Sequence, residues 1–310
     1  LVLALKYHLS DNERLTEQML RKLLRDNKNK LNTGFVGTPL LCNVLTEHGM
    51  TDLAYRLLLN EEYPGWLHEV KLGATTVWER WNSLDENGRI SSTGMNSLNH
   101  YSYGAVLEWI FRHVAGIDVT EQGPGGKMMR ISPKVDHKLG SASAVYDSAS
   151  GCYRCGWQIE NGDQITVTVT VPFGAKAQVI LPYAPDSVYH DTDNPLFETV
   201  ENGICCVKAG QYTVTYKAAS PLKKSYSVDS TLEDLLGEPA IRAFLSNMME
   251  VDMIPDLAYG LTLRQAAEAF AGGVSAARQL GQAAATSAAA PSAAPTPASS
   301  SGSCVPTPGM

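Results

Sequence analysis

The chain of 310 residues has no apolar run of the length that crosses a bilayer, no cluster of lysine and arginine, and no regular cysteine framework. Each absence removes a class of function. A helical span needs about 20 consecutive apolar residues, so no transmembrane helix is expected. The net charge of −7 comes without a basic arm or stripe, which argues against nucleic acid and anionic membranes as partners. The six cysteines, Cys42, Cys152, Cys155, Cys205, Cys206 and Cys304, are irregularly spaced. "CYRC" followed much later by "CC" has no second C-x-x-C and no nearby histidine pair. Adjacent cysteines also converge poorly on one ion, so no metal site is expected. They read as reduced thiols in or beside strands, which favours a reducing, cytoplasmic compartment. The N-terminus lacks both an initiator methionine and a helix cap. "LVLALKYHL" reads as starting inside a helix, at the C-terminal piece of a longer polypeptide.

What is present is an ordinary apolar fraction, 44 %, on a chain long enough for more than one domain. Up to about Ile117 the pattern is helical. "SDNERLTEQMLRKLL" offers a capping box from Ser10 to Glu13 and an apolar stripe of Leu15, Met19, Leu20, Leu23 and Leu24. "GTPLLCNVLTEHG" places Thr38 as N-cap, Pro39 in the first turn and Gly49 past the end. "MTDLAYRLLLN" follows with Ala54, Leu57 and Leu58 inward, and the short connection implies an antiparallel helical hairpin. A short helix is expected around Trp78. A last one, from His100, carries Ala105, Val106, Trp109, Ile110, His113 and Val114 and stops at Gly116.

From Asp118 the period changes to two. "DQITVTVTVPFG" alternates Ile165, Val167, Val169 and Val171 with threonines, as a strand with one buried face does. "GCYRCGWQIE", "AKAQVILP", "GICCVKAG" and "QYTVTYK" are similar, so an antiparallel β-sandwich is expected over 118–218. Residues 219–280 return to helix, with Ser/Thr caps and a second capping box from Thr262 to Gln265. From 281 to 310 the chain is Ala, Ser, Pro and Thr, which buries too little to fold. The fold class is α + β, in several domains.

One stretch carries candidate chemistry. "GATTVWERWNSLDENGRISSTGMNSLNHYSYG" holds a long loop with Glu79 near one end and His100 at the other. Folding it back brings them to one cleft. Trp78 and Trp81 offer faces for a sugar ring, and Asn96, Asn99 and Tyr101 offer donors to hydroxyls. The competing reading makes Glu79 half of a surface ion pair with Arg80, and His100 a capping or core residue. Asp85 and Glu86 read as solvated turn residues.

"TGFVGTPLLCNVLTEHGMTDLAYRLL", "EYPGWLHEVKLGATTVWERWNSL" and "MNSLNHYSYGAVLEWIFRHVAGI" together resemble, in order and spacing, the closing part of the catalytic domain of bacterial α-L-rhamnosidases, glycoside hydrolase family 78. "YDSASGCYRCGWQIENGDQITVTVTVPFGAKAQVILP" is similar to that family's closing β domain. The resemblance covers roughly residues 1–216. It implies that residues 1–117 are the C-terminal part of an (α/α)6 toroid, and that the whole enzyme releases terminal α-L-rhamnose with inversion. It puts Glu79 at the general base and His100 at a rhamnose-binding position; Trp78 is adjacent and is expected to shape the site, with no family role carried onto it. The general acid it implies lies upstream, so this piece is expected to be inactive alone. No cofactor is implied; the partner is a rhamnosylated glycoside. Two other readings stay open: a non-catalytic carbohydrate-binding or scaffold piece, in which Trp157 is the only tryptophan of the β region, and a different toroid enzyme such as a phosphorylase.

Overall fold

The computed structural model describes residues 1–271 apart from 86, 92, 93, 122, 192, 248, 249, 256 and 257. Glu86, the end of the expected helical appendage (272–280), the 281–310 tail and Cys304 lie outside the described residues. The chain divides into two compact units, Leu1–Lys223 and Lys224–Met310.

The first unit opens with α1 (Val2–Lys6) and α2 (Glu13–Asp26). The cap of α2 is Asn12, whose side-chain oxygen accepts from the Leu15 N–H at 3.0 Å. Ser10, the expected cap, stands too early to reach that turn. Its hydroxyl accepts from the Asn12 N–H and bonds the Thr16 hydroxyl, while Glu13 bonds His8. The expected stripe splits into two rows. Thr16, Leu20 and Leu24 are buried, whereas Leu15, Met19 and Leu23, one residue earlier in each turn and so rotated about 100°, are half exposed. In α3 (Thr38–Glu47) the cap position falls to Gly37. Thr38 is already helical, and its hydroxyl turns back to donate to the Thr33 carbonyl at 3.1 Å. Gly49, at φ +72°, ends that helix and leads into α4 (Thr51–Leu58), the expected hairpin partner. Ala54, Tyr55 and Leu57 are buried there, while Leu58 is only partly so.

After α5 (Trp66–Lys71) the described residues show no helix before a 3₁₀ turn at Ser102–Ala105. The short helix expected around Trp78 is therefore absent; β-branched Thr75, Thr76 and Val77 precede it, which disfavours helix. The last helix, α6 (Val106–Trp109), widens into a π turn at Ile110–Val114 and stops at Gly116. Only glycine fits at this stop. Its φ is +82°, and a Cβ there would sit 2.2 Å from the Pro133 nitrogen.

Among the described residues the strands form two sheets. The strands are β1 (Ile117–Val119), β2 (Met128–Ile131), β3 (Ser141–Ser148), β4 (Gly151–Glu160), β5 (Gln164–Val171), β6 (Lys176–Val179), β7 (Val200–Glu201), β8 (Ile204–Val207) and β9 (Gly210–Lys217). One sheet has the order β1-β2-β6-β8-β7, the other β3-β4-β5-β9. The second is antiparallel throughout, but β2 and β6 pair in parallel, against the all-antiparallel expectation. The hairpins β3–β4–β5 belong to the other sheet, so the chain leaves the first sheet after β2 and returns beside it in the same direction.

Ile165, Val167, Val169 and Val171 all face inward, as their alternation requires. A single apolar cluster runs from these strands into the helices. Buried aromatic tips fix its seams by donating to backbone carbonyls: Trp157 Nε1 to Val114 at 2.7 Å, and the Tyr153 hydroxyl to Gly126 at 2.7 Å and Lys176 at 3.0 Å. Cys42, Cys152, Cys155 and Cys205 are free thiols, as expected. Cys206 is not. Strand alternation turns Cys205 inward and Cys206 outward, and Cys206 is disulfide-bonded.

The second unit has its own small core around Leu232, Leu235, Leu236, Val251 and Leu261. Its helices are α7 (Leu232–Gly237), α8 (Pro239–Ser246) and α9 (Leu263–Ala271). Thr231 caps α7 through the Asp234 N–H, and Thr262 with Gln265 forms the reciprocal box expected, at 3.1 and 3.0 Å. The two caps are laced together. Leu232 N–H donates to Leu261 and Leu263 N–H to Ser230, Glu233 N–H to Tyr259 and Arg264 N–H to Val228. Swapping the two Thr-capped segments reproduces the same bonds, so the pair is locally two-fold symmetric.

Candidate active site

The long loop does fold back on itself. Gly73, at φ +87°, turns the chain out of α5. Leu84 bridges Ile90, and Asn96 clamps Ser83 with both ends of its amide, accepting from the hydroxyl at 2.7 Å and donating to the carbonyl at 2.9 Å. Asp85 receives the Asn87 and Arg89 N–H groups and makes the solvated turn expected of it. The two ends of the loop then meet backbone to backbone. Glu79 N–H donates to Ser97 at 2.9 Å, and His100 N–H donates to Val77 at 2.8 Å. Glu79 and His100 thus stand on two paired segments, joined by a two-rung ladder.

Glu79 is half-buried. Among the described residues its carboxylate has no hydrogen-bond or ion-pair partner, so the alternative of a pair with Arg80 is not realised. Held by its backbone with both oxygens unpaired, the carboxylate is available to accept a hydrogen bond from water or a ligand.

His100 has the opposite character: its ring is held on all but one edge. Phe35 stacks on one face at 5.0 Å between centroids and 14° between planes, and Tyr101 stacks at 5.6 Å and 4°. Nδ1 accepts from the Ser102 N–H at 3.3 Å. With Nδ1 accepting, the neutral ring carries its proton on Nε2. What His100 has to offer is therefore an edge donor, not a face.

The tryptophans do not line the opening. Trp78 is 2 % exposed and Trp81 is 9 % exposed, so neither ring is open to a sugar. Trp81 stacks on Tyr103 at 3.9 Å and meets Trp66 edge-on, while Trp66 Nε1 donates to the Tyr103 carbonyl at 3.0 Å. An indole has too much apolar surface to leave in water where a ring stack is on offer. The two tryptophans beside Glu79 form the floor under the ladder. Of the expected polar donors, Asn96 is spent on Ser83, Asn99 is exposed, and Tyr101 is exposed on the outer side of His100.

One site residue was not legible in the sequence. Glu69, in α5, is 3 % exposed, and its Oε1 has no partner. Burial pushes its carboxyl up to about 7, against a pull the other way from the Trp78 backbone N–H. Its negative form in turn adds to the rise that burial imposes on the Tyr103 hydroxyl. The available signal was its place one turn after Trp66, on the inward side of α5, while Val70 points out. Phe35 was equally hidden, within a Gly-flanked turn.

Comparison with known proteins supplies the context. Two family models match: the bacterial alpha-L-rhamnosidase 6 hairpin glycosidase domain over residues 1–114, and the bacterial alpha-L-rhamnosidase C-terminal domain over residues 116–194. The chain is 40 % identical over 200 residues to an alpha-L-rhamnosidase of Alteromonas sp. (strain LOR), covering 64 % of this chain and 21 % of that one. An alpha-L-rhamnosidase of Formosa agariphila is 38 % identical over 203 residues, covering 65 % and 22 %. The crystal structure of Streptomyces avermitilis alpha-L-rhamnosidase complexed with L-rhamnose matches with a TM-score of 0.60 at 33 % identity, over 70 % of this chain and 21 % of that one. The native enzyme from Aspergillus terreus gives 0.59 at 28 %, over 71 % and 24 %. The chain spans about a fifth of the length of the curated relatives it matches.

Proposed function

We propose, from the premise that this chain belongs to the bacterial α-L-rhamnosidase family, that it is the closing part of an inverting glycoside hydrolase that removes terminal α-L-rhamnose. In this reading residues 1–117 close an (α/α)6 toroid, 118–218 are a β-sandwich, and 219–280 and 281–310 are a helical appendage and a tail. Glu79 is the general base. It takes the proton of a water that attacks the anomeric carbon from the side opposite the leaving oxygen. Inversion places that water between two carboxyls roughly 6.5–9.5 Å apart, and the family resemblance puts the acid that protonates the leaving oxygen upstream of this segment. His100 donates Nε2–H to a rhamnose hydroxyl. Trp78 shapes the site from beneath and does not touch the sugar.

The observation that carries the reading is the ladder of Val77–Glu79 with Ser97–His100. It brings the residue with an unpaired carboxylate and the residue whose ring edge is a free donor onto paired segments, as a water-activating base and a hydroxyl-orienting group require. The binding-module alternative loses its anchor, because Trp157 is 3 % exposed and its Nε1 is committed to Val114. With a base but no acid, the chain by itself activates water without protonating a leaving group, and is inactive alone.

The test is nitrophenol release from an aryl α-L-rhamnoside by the parent polypeptide, with and without Glu79→Gln. A loss on the order of a thousandfold in kcat is expected, the usual range for removing a general base. Full activity in the variant would move the base elsewhere. Hydrolysis by the isolated chain would refute its inactivity.

A further inference from the structure

A large apolar surface stands open against His100. Phe35 packs on two rings, His100 at 5.0 Å and Tyr103 at 5.3 Å between centroids, yet 44 % of it is exposed. Val36, the next residue, is 68 % exposed. Exposed apolar residues are ordinary when scattered singly. These two are adjacent, and Phe35 lies on the ring whose Nε2–H is read as the donor to the sugar. The turn that carries them is held at its base. The Thr33 and Thr38 hydroxyls bond at 2.8 Å, and Thr38 also donates from its hydroxyl to the Thr33 carbonyl at 3.1 Å and from its N–H to Gly34 at 3.0 Å. Gly37 lets the clasp close, since a Cβ there would stand 3.1 Å from Thr33 Cγ2.

Phe35 and His100 are only 14° from parallel. Rings stacked this closely can both be touched by one small ligand, which then meets a polar donor and a carbon surface side by side. Binding sites for small molecules are built this way, with a few placed polar groups in an apolar lining. Sugars differ in how they fit such a pair. A hexose carries a hydroxyl on its exocyclic carbon, whereas a 6-deoxyhexose ends there in a methyl group. A hydroxyl laid on Phe35 would lose its water with no new partner, and a methyl group gains from the same loss.

We infer that Phe35, with Val36 beside it, is a specificity-determining contact for the C6 methyl of a 6-deoxyhexosyl group, an inference that rests on the reading of Glu79 and His100 as a sugar site. Phe35 selects the deoxy sugar over the hexose that differs from it by one hydroxyl. His100 and Glu79 act on parts that the two sugars share and do not tell them apart.

The test compares an aryl α-L-rhamnoside with the aryl α-L-mannoside, identical but for the C6 hydroxyl, on the parent polypeptide. Wild-type hydrolysis of the rhamnoside comes first; its absence sinks the functional reading itself. Given activity, kcat/KM is expected to favour the rhamnoside about a hundredfold, the usual reach of an apolar contact against an added hydroxyl. Phe35→Ser is expected to narrow that ratio about tenfold, and Phe35→Leu, which keeps a carbon surface, to hold it within about threefold. A residue that only steadied His100 would cost both substrates alike. A wild-type ratio near one, or an unchanged ratio in Phe35→Ser, therefore overturns the inference. Inhibition of the wild-type enzyme by the free sugars needs no variant. L-rhamnose is expected to inhibit at about tenfold lower concentration than L-mannose, and equal inhibition refutes the contact.

Discussion

The β3-β4-β5-β9 sheet and the Gly73–His100 loop are built on opposite terms. In the sheet, buried valines alternate with threonines, the strands pair in unbroken register, and the aromatic tips beneath find carbonyls. Around the loop, by contrast, polar groups stand unmet. Glu79 has no partner, Glu69 Oε1 is buried and unpaired, and Trp81 Nε1 is buried without an acceptor. Where every local rule agrees, the chain is specifying structure; where rules are broken at some cost, it is reserving groups for a task. The loop is affordable because the sheet and the helices below it share one core.

That contrast can be broken at either end. The largest effect belongs to Glu79→Gln in the parent polypeptide. Activity falls on the order of a thousandfold, while the melting temperature stays put, since the carboxylate it replaces holds nothing. A large drop in Tm would show that Glu79 is structural after all. The reverse pattern is expected of Ile165→Ala at the centre of β5. It removes a fully buried side chain and costs about 3 kcal/mol, within the usual range for such truncations. Denaturant unfolding measures it, and a loss under about 1 kcal/mol would mean the sheet core collapses around the gap.

Next comes the pH dependence of stability, where the loop region has a sign of its own. Glu69 rises from 4.5 free to about 7 folded, so the folded state holds this proton more tightly than the unfolded chain. Stability is then greatest below the unfolded value and falls as pH climbs through about 7, by about 3 kcal/mol in all. Glu69→Gln removes that fall, and parallel unfolding curves for the two proteins across this window would contradict it. His113, pushed down to about 4 mainly by burial, works in the other direction: its contribution is lost as the pH drops from 6.5 toward 4. The smallest effect is expected in the second unit. Thr262→Ala deletes one half of a reciprocal cap and costs about 1 kcal/mol in local stability, read as faster amide exchange in the first turn of α9.

Legibility followed the same division. The strands β4, β5, β6, β8 and β9 stood out because alternation is a local property with a period of two. The caps at Thr231 and Thr262 stood out because a hydroxyl three residues from a partner N–H needs no tertiary information. Glu79 and His100 were legible only as residues at two ends of a loop, and by resemblance. The short helix expected at Trp78 failed because two tryptophans three apart mimic a helical face, whereas the segment is non-helical and bonded back to Ser97 and His100. The parallel pairing of β2 with β6 was invisible, since nothing in either strand records which neighbour the chain returns to.

What the sequence by itself determined, then, were the periods, the caps at Thr231 and Thr262 and the glycine stops, because these depend on neighbours within a turn or two. Only the tertiary structure decided which of the two leucine rows on α2 turned inward, that the tryptophans beside Glu79 became floor and not wall, and that Glu69 was buried with an oxygen to spare. Burial is a property of everything packed around a residue, and the water it excludes is what gives a carboxylate or an indole its final role.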